Sequence, residues 1–135
     1  MQSEVIEIHT GDRPSVIDVT AEVARFCAGR GDGLVNVFVP HATAGLALME
    51  TGSDSEEDLL ATISRLLPAS HAWVHRHGSP GHGGDHVLPA LISPSLLIPV
   101  LAGRPELGTW QSVVLVDPNR DNPVRRLRLT FLEGS

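Results

Sequence analysis

The order of segments predicts an α+β chain: a single domain over residues 1–135, with a large mixed or antiparallel β-sheet and two to three helices. Three observations point there. A length of 135 residues fits one domain. Apolar alternation and helical spacing follow one another as β-α-β-β-α-loop-β-β-β. The last three strands have no helical connectors, which favours antiparallel or mixed pairing over a doubly wound parallel sheet.

Val5, Ile6 and Ile8 alternate loosely with Glu4, Glu7 and His9, the pattern of an opening strand, and Gly11 and Pro14 close it. Asp18 or Thr20 is placed to cap a helix that carries Val19, Val23, Phe26 and Cys27 on one face and ends at Gly29. After the Gly31-Asp32-Gly33 turn, Leu34 to Val39 reads as a strand with Val35, Val37 and Val39 on one side. Pro40 ends it, and His41 follows. Leu46 to Met49 is a second apolar run, closed by Glu50. Ser53-Asp54-Ser55-Glu56 has capping-box spacing, and Leu59, Leu60, Ile63, Leu66 and Leu67 continue as a helix that Pro68 stops. Residues 68–84 are rich in Gly, Pro and His and read as a loop. His86 to Ile92 reads as a short helix, with Pro89 confined to its first turn or to a kink. Leu96–Leu101, Trp110–Val116 and Arg126–Leu132 read as three late strands.

Composition narrows the chemistry. All ten basic residues are Arg, which excludes a Schiff-base lysine and a Walker lysine. There is no Tyr to act as a phenolic acid. A net charge of -6 and an aromatic share of 4% argue against nucleic acid as a partner. No apolar run reaches the roughly 20 residues of a membrane span, and the N-terminal residues lack a secretory pattern. The single cysteine, Cys27, reads as inert core and points to a reducing cytoplasm. A site must then be built from His, Asp, Glu, Arg, Ser, Thr, backbone groups or a metal.

Five of the seven histidines, His71, His75, His77, His82 and His86, lie within 16 residues, a concentration suited to a divalent transition metal. A polar surface loop explains the same run. His82 and His86 are spaced to share a helix face, but Gly83 and Gly84 between them argue against a helix there. His41-Ala42-Thr43-Ala44-Gly45 follows a strand, with small residues that let backbone amides and the Thr43 hydroxyl approach an anion. It reads equally as a β-turn with a structural histidine. Glu50 is spaced to face whatever His41 faces, a pairing used for acid/base work or metal binding. Trp110 and Gln111 open a strand as a pocket wall or as ordinary core. Arg120, Arg125, Arg126 and Arg128 gather positive charge near the C-terminus, for an anion or for edge protection.

Taken together, these segments resemble the YjbQ family of small cytoplasmic domains over nearly the whole chain. The carriers are His41-Ala42-Thr43-Ala44-Gly45 with Glu50, Asp58, His75, and His86 with Ser95-Leu96-Leu97-Ile98-Pro99-Val100. Gly103, Leu107-Gly108-Thr109-Trp110-Gln111 and the Arg125-Arg126 stretch complete the pattern. The resemblance implies a large mixed sheet and a homotrimer, with sites around His41, His75 and His86 near Glu50, between subunits. His71, His77 and His82 fall outside the matched positions. Three positions depart from the pattern: Ala42 for Thr or Ser, Ser93 for Gly, and Met49 for Asn.

Some members of the family resemble secondary thiamine-phosphate synthases, which join a pyrimidine diphosphate to a thiazole phosphate. The implied function is therefore an enzyme acting on a small phosphorylated, anionic metabolite. His41, His75 and His86 would hold a divalent metal, Zn or Mg, or move protons. Glu50 would assist, and Thr43, Trp110, Gln111 and Arg126 would contact substrate. The alternatives are a non-catalytic metabolite- or metal-binding trimer and a purely structural trimer.

Overall fold

The computed structural model describes residues 1–135 as eight strands and four helices. In chain order they are β1 (Gln2–His9), β2 (Ser15–Asp18), α1 (Thr20–Cys27), β3 (Gly33–Phe38), β4 (Gly45–Met49), α2 (Ser55–Leu66), α3 (His82–Asp85), α4 (Leu88–Leu91), β5 (Ser95–Leu101), β6 (Arg104–Pro105), β7 (Ser112–Asp117) and β8 (Val124–Glu133). The α+β class and the antiparallel character match the expectation. The strands divide between two sheets, however, ordered β1-β8-β3-β5-β6 and β2-β7-β4, and every pairing is antiparallel. No helix is long and apolar enough to cross a membrane.

The five-stranded sheet follows period-two patterning. In β8, Arg125, Leu127, Leu129 and Phe131 turn inward while Arg126 and Arg128 face out. Val35 of β3 lies between Phe131 and Ile98, and Val37 opposite Leu129, so the register stacks one apolar face. That face, with Val113 and Leu115 of β7 and with Val23, Phe26 and Cys27 of α1, forms the main core. Burial pushes the Cys27 thiol pKa up, in keeping with an inert core residue.

The three-stranded sheet is buried on both faces. Val113 and Leu115 face the main core, while Val114 and Val116 pack with Ile63 of α2 and Leu88 of α4. This explains why Val113 to Val116 is an unbroken apolar run rather than an alternating one. β2 behaves alike: Ile17 packs on one core and Val16 on the other. It was not foreseen because it is only four residues long, directly after Pro14.

Three local differences have physical causes. The α2 N-cap is Asp54, in the left-handed region at φ 68°, and not Ser53. The expected box does not form: the Glu56 carboxylate accepts the N–H of Gly52 at 3.2 Å, not that of Ser53. β7 begins at Ser112 because Gly108–Gln111 is a turn, in which Gln111 Oε1 accepts the Gly108 N–H at 2.8 Å. The Gly83-Gly84 pair lies inside α3 and does not break it. A Cβ at 83 would sit 2.4 Å from Trp73 Cβ, and one at 84 would sit 2.9 Å from the Trp73 ring. Only glycine lets the 71–77 segment lie against this turn.

Candidate metal centre

That close approach gathers the histidines. His82 opens α3 and His86 is its C-cap, so the two rings share one side of a single turn. The 71–77 segment, anchored by Trp73 Nε1 donating to the Pro68 carbonyl at 3.0 Å, brings His75 over them. Ring centroids are 4.1 Å apart for His75–His86 and 4.6 Å for His82–His86, and His77 lies 3.9 Å from His75.

One nitrogen each of His75, His82 and His86 lies within 4.8 Å of the others. The Nε2 atoms of His82 and His86 are 2.8 Å apart. His75 Nε2 is buried and has no hydrogen-bond partner. Three nitrogens around one Zn²⁺ at about 2.0–2.1 Å would stand roughly 3.3 Å from each other, so a small adjustment seats an ion. Burial, first, and the neighbouring imidazoles, second, hold the His75 and His86 pKa values below the ordinary histidine value, which favours the neutral form that ligates. The cluster opens into a cleft of about 520 Å³ whose walls include His71, Trp73, Arg76 and His77, within the size range of small-molecule sites.

Behind His82 lies a polar shell. Its Nδ1 is 3.1 Å from Asp121 Oδ2, 3.7 Å from Asp85 Oδ2 and 3.0 Å from Asn119 Nδ2. Burial raises the Asp85 pKa. The 117–122 loop that supplies this shell is folded by its own side chains. Asp117 Oδ1 accepts the Asn119 N–H, and Asn119 Oδ1 accepts the N–H groups of Asp121 and Asn122.

The residues singled out in the sequence fall in several places. His75 and His86 meet, as expected. His82, outside the family pattern, is the third member of the cluster, and His41 is not in it. His41 Nε2 instead accepts the Arg126 backbone N–H at 3.0 Å, extending the ladder of β8 where β3 has ended. Burial and the Arg125 charge lower the His41 pKa, consistent with that accepting role. Thr43 does not face an anion site. It is buried, and its Oγ1 accepts a bond from Arg125 Nη2 at 2.7 Å. Glu50 is exposed beyond β4, and the Arg126 side chain is exposed on the outer sheet face. Trp110 is 73% exposed and is not core, while Gln111 closes its own turn. Gly45 of the same motif is fixed by packing, since a Cβ there would lie 2.3 Å from the Ile92 carbonyl oxygen. Asn119, Asp121 and Asp85 were not anticipated. The alternating acid and amide of Asp117-Pro118-Asn119-Arg120-Asp121-Asn122 was the available signal, and it reads as an ordinary turn.

Residues 4–134 match the model of the family described as UPF0047 protein YjbQ-like. UPF0047 protein Rv2556c of Mycobacterium tuberculosis is 54% identical over 134 residues, covering 99% of this chain and all of that protein. The crystal structure of hypothetical protein APE1520 from Aeropyrum pernix superposes with a TM-score of 0.89 at 32% identity, covering 99% of this chain and 100% of that one. An uncharacterised conserved YjbQ/UPF0047 protein from Clostridium acetobutylicum gives 0.84 at 26% identity, covering 96% and 99%. With its strands, its motif residues and its length thus accounted for, the chain belongs to the YjbQ-like UPF0047 family.

Proposed function

We propose that the chain is a metal-dependent enzyme acting on a small phosphorylated metabolite, with His75, His82 and His86 as the metal ligands. The observation that carries this reading is the buried, unpartnered Nε2 of His75 beside the Nε2 pair of His82 and His86. An all-nitrogen donor set suits Zn²⁺ and not Mg²⁺, which prefers oxygen. Three protein ligands is the number found in catalytic zinc sites, whereas closed structural sites use four. A bound divalent metal supplies Lewis-acid polarisation of a phosphoryl oxygen. Arg76, on the cleft wall, offers a guanidinium to the phosphate. Within this class, the family resemblance favours a transfer that releases diphosphate, as in thiamine-phosphate synthesis. A reducing, cytoplasmic setting agrees with one free buried cysteine.

His41, Glu50, Trp110, Gln111 and Arg126 enter the proposal as contributions from an adjoining copy in a homotrimer, His41 and Glu50 moving protons and Arg126 holding the anion. The exposure of Trp110, and an Arg126 side chain free of any ion pair within the chain, support that arrangement. Metal analysis, light scattering and a screen of phosphorylated compounds test it together. The reading expects about one zinc per chain, a trimer, and turnover that is lost in His41→Ala with zinc retained. Ligand-induced melting shifts without turnover would instead favour a non-catalytic binding domain, and absence of zinc binding would end both versions.

A further inference from the structure

Resting on the metal-centre reading, the geometry points to a tautomer exchange at His82. We propose that Asp121 is the positioning residue that makes His82 a metal ligand, by accepting a hydrogen bond from Nδ1–H so that Nε2 keeps its lone pair, and that Asn119 holds the opposite tautomer in the metal-free chain. The argument starts from the 2.8 Å between the Nε2 atoms of His82 and His86. Two bare lone pairs at that distance repel, so one of these nitrogens carries a proton when no metal is bound. The Asn119 amide, 3.0 Å from His82 Nδ1, donates to that nitrogen and so leaves the proton on His82 Nε2, while Asp121 Oδ2, 3.1 Å from the same Nδ1, opposes this tautomer and favours the other. The orientation of that amide is fixed, because Asn119 Oδ1 is already engaged by the N–H groups of Asp121 and Asn122.

Metal capture requires Nε2 of both rings as lone pairs. For a neutral His82 the proton then resides on Nδ1, and Asp121 Oδ2 stands at 3.1 Å to accept a hydrogen bond from it. That oxygen is held in place by the Ser79 backbone N–H at 3.1 Å and its hydroxyl at 3.3 Å. The proton leaves Nε2 to solvent and another arrives at Nδ1, so the imidazole keeps the same number of protons and charge. A carboxylate behind a ligating histidine also raises the basicity of the ligating nitrogen, and removing such a partner typically weakens metal binding by about 10–100-fold. His82 and its partner thus form a carboxylate–imidazole pair whose histidine lies outside the positions that match the family motif.

The test is Zn²⁺ titration of the full chain against a chromophoric chelator, for the native protein and Asp121→Asn, with the His82 ring tautomer followed by long-range proton–nitrogen NMR. Asp121→Asn is expected to weaken zinc binding by roughly 10–100-fold. In the native protein, zinc is expected to move the His82 proton from Nε2 to Nδ1. Zinc affinity in Asp121→Asn within about twofold of native, set against that expected loss, overturns the proposal and leaves the metal centre standing. So does a zinc-loaded His82 that ligates through Nδ1. No zinc binding by the native protein overturns the metal centre and this proposal together. Should Asp121→Asn fail to fold, Ser79→Ala carries the test: it is expected to weaken zinc binding by a smaller factor, and unchanged affinity overturns the proposal.

Discussion

Two polar clusters, one in the core between the sheets and one beside α3, use similar residues to opposite ends. In the first, Arg125 is 1% exposed and Asp117 is fully buried. Arg125 Nε and Nη2 donate to the two Asp117 oxygens at 2.7 and 2.9 Å, Nη2 also donates to Thr43, and Asp117 accepts the Asn119 N–H. Opposite charges meet with well-formed bonds. In the second, three imidazoles crowd together, two pointing the same kind of atom at each other and one leaving Nε2 without a partner. Interiors rarely leave such atoms unpaired. The first arrangement is complete in itself. On the proposed reading a cation among the nitrogens completes the second, and this contrast is what separates a structural cluster from a site.

The contrast is sharpest where one side is removed. Asp117→Ala strands the Arg125 charge and is expected to cost about 3–5 kcal/mol, measured by urea denaturation of the metal-free protein. Gly83→Ala pushes a Cβ onto Trp73 and is expected to cost about 1–3 kcal/mol as overpacking. It should also weaken zinc binding, because the 71–77 segment is levered off α3. His75→Ala, by contrast, removes a group with no partner at Nε2 and is expected to change metal-free stability by less than about 1 kcal/mol. It should abolish the stabilisation by zinc, which for a single site is about 2.7 kcal/mol at 100 times the dissociation constant. If His75→Ala destabilised the metal-free chain as much as Asp117→Ala, the two clusters would not differ in kind.

Acid gives the smallest effect and fixes the sign. The folded-state pKa values of His75 and His86 lie below the ordinary 6.5, so below that value the unfolded chain binds more protons at these rings. Their contribution is present above about pH 6.5 and is lost as the pH falls through the depressed folded values. Thermal melts across this range should decline towards acid in the native protein, and less steeply when both rings are replaced by alanine. Zinc should widen the gap, since protons and metal compete for the same nitrogens.

Much of this was legible in the sequence where one interaction dominates. Period-two patterning announced β1, β3 and β8, and helical spacing announced α1 and α2. What escaped was set by partners distant in the chain. The division into two sheets depends on which faces of β7 are covered, which an unbroken apolar run does not reveal. Gly83 and Gly84 read as helix breakers because Trp73, which requires them, is ten residues away. The spacing of His82 and His86 was visible, yet the family pattern pointed to His41, whose imidazole accepts the Arg126 backbone bond. Asp121 and Asn119 matter only through where the buried Arg125–Asp117 pair anchors their loop.

Zinc titration of His82→Ala beside His41→Ala is the most direct test of the central claim. The histidine cluster as described predicts that His82→Ala loses zinc by more than the roughly 100-fold upper bound for removing an outer partner, while His41→Ala binds it as the native protein does. Zinc binding that survives without His82 and disappears without His41 would contradict the account.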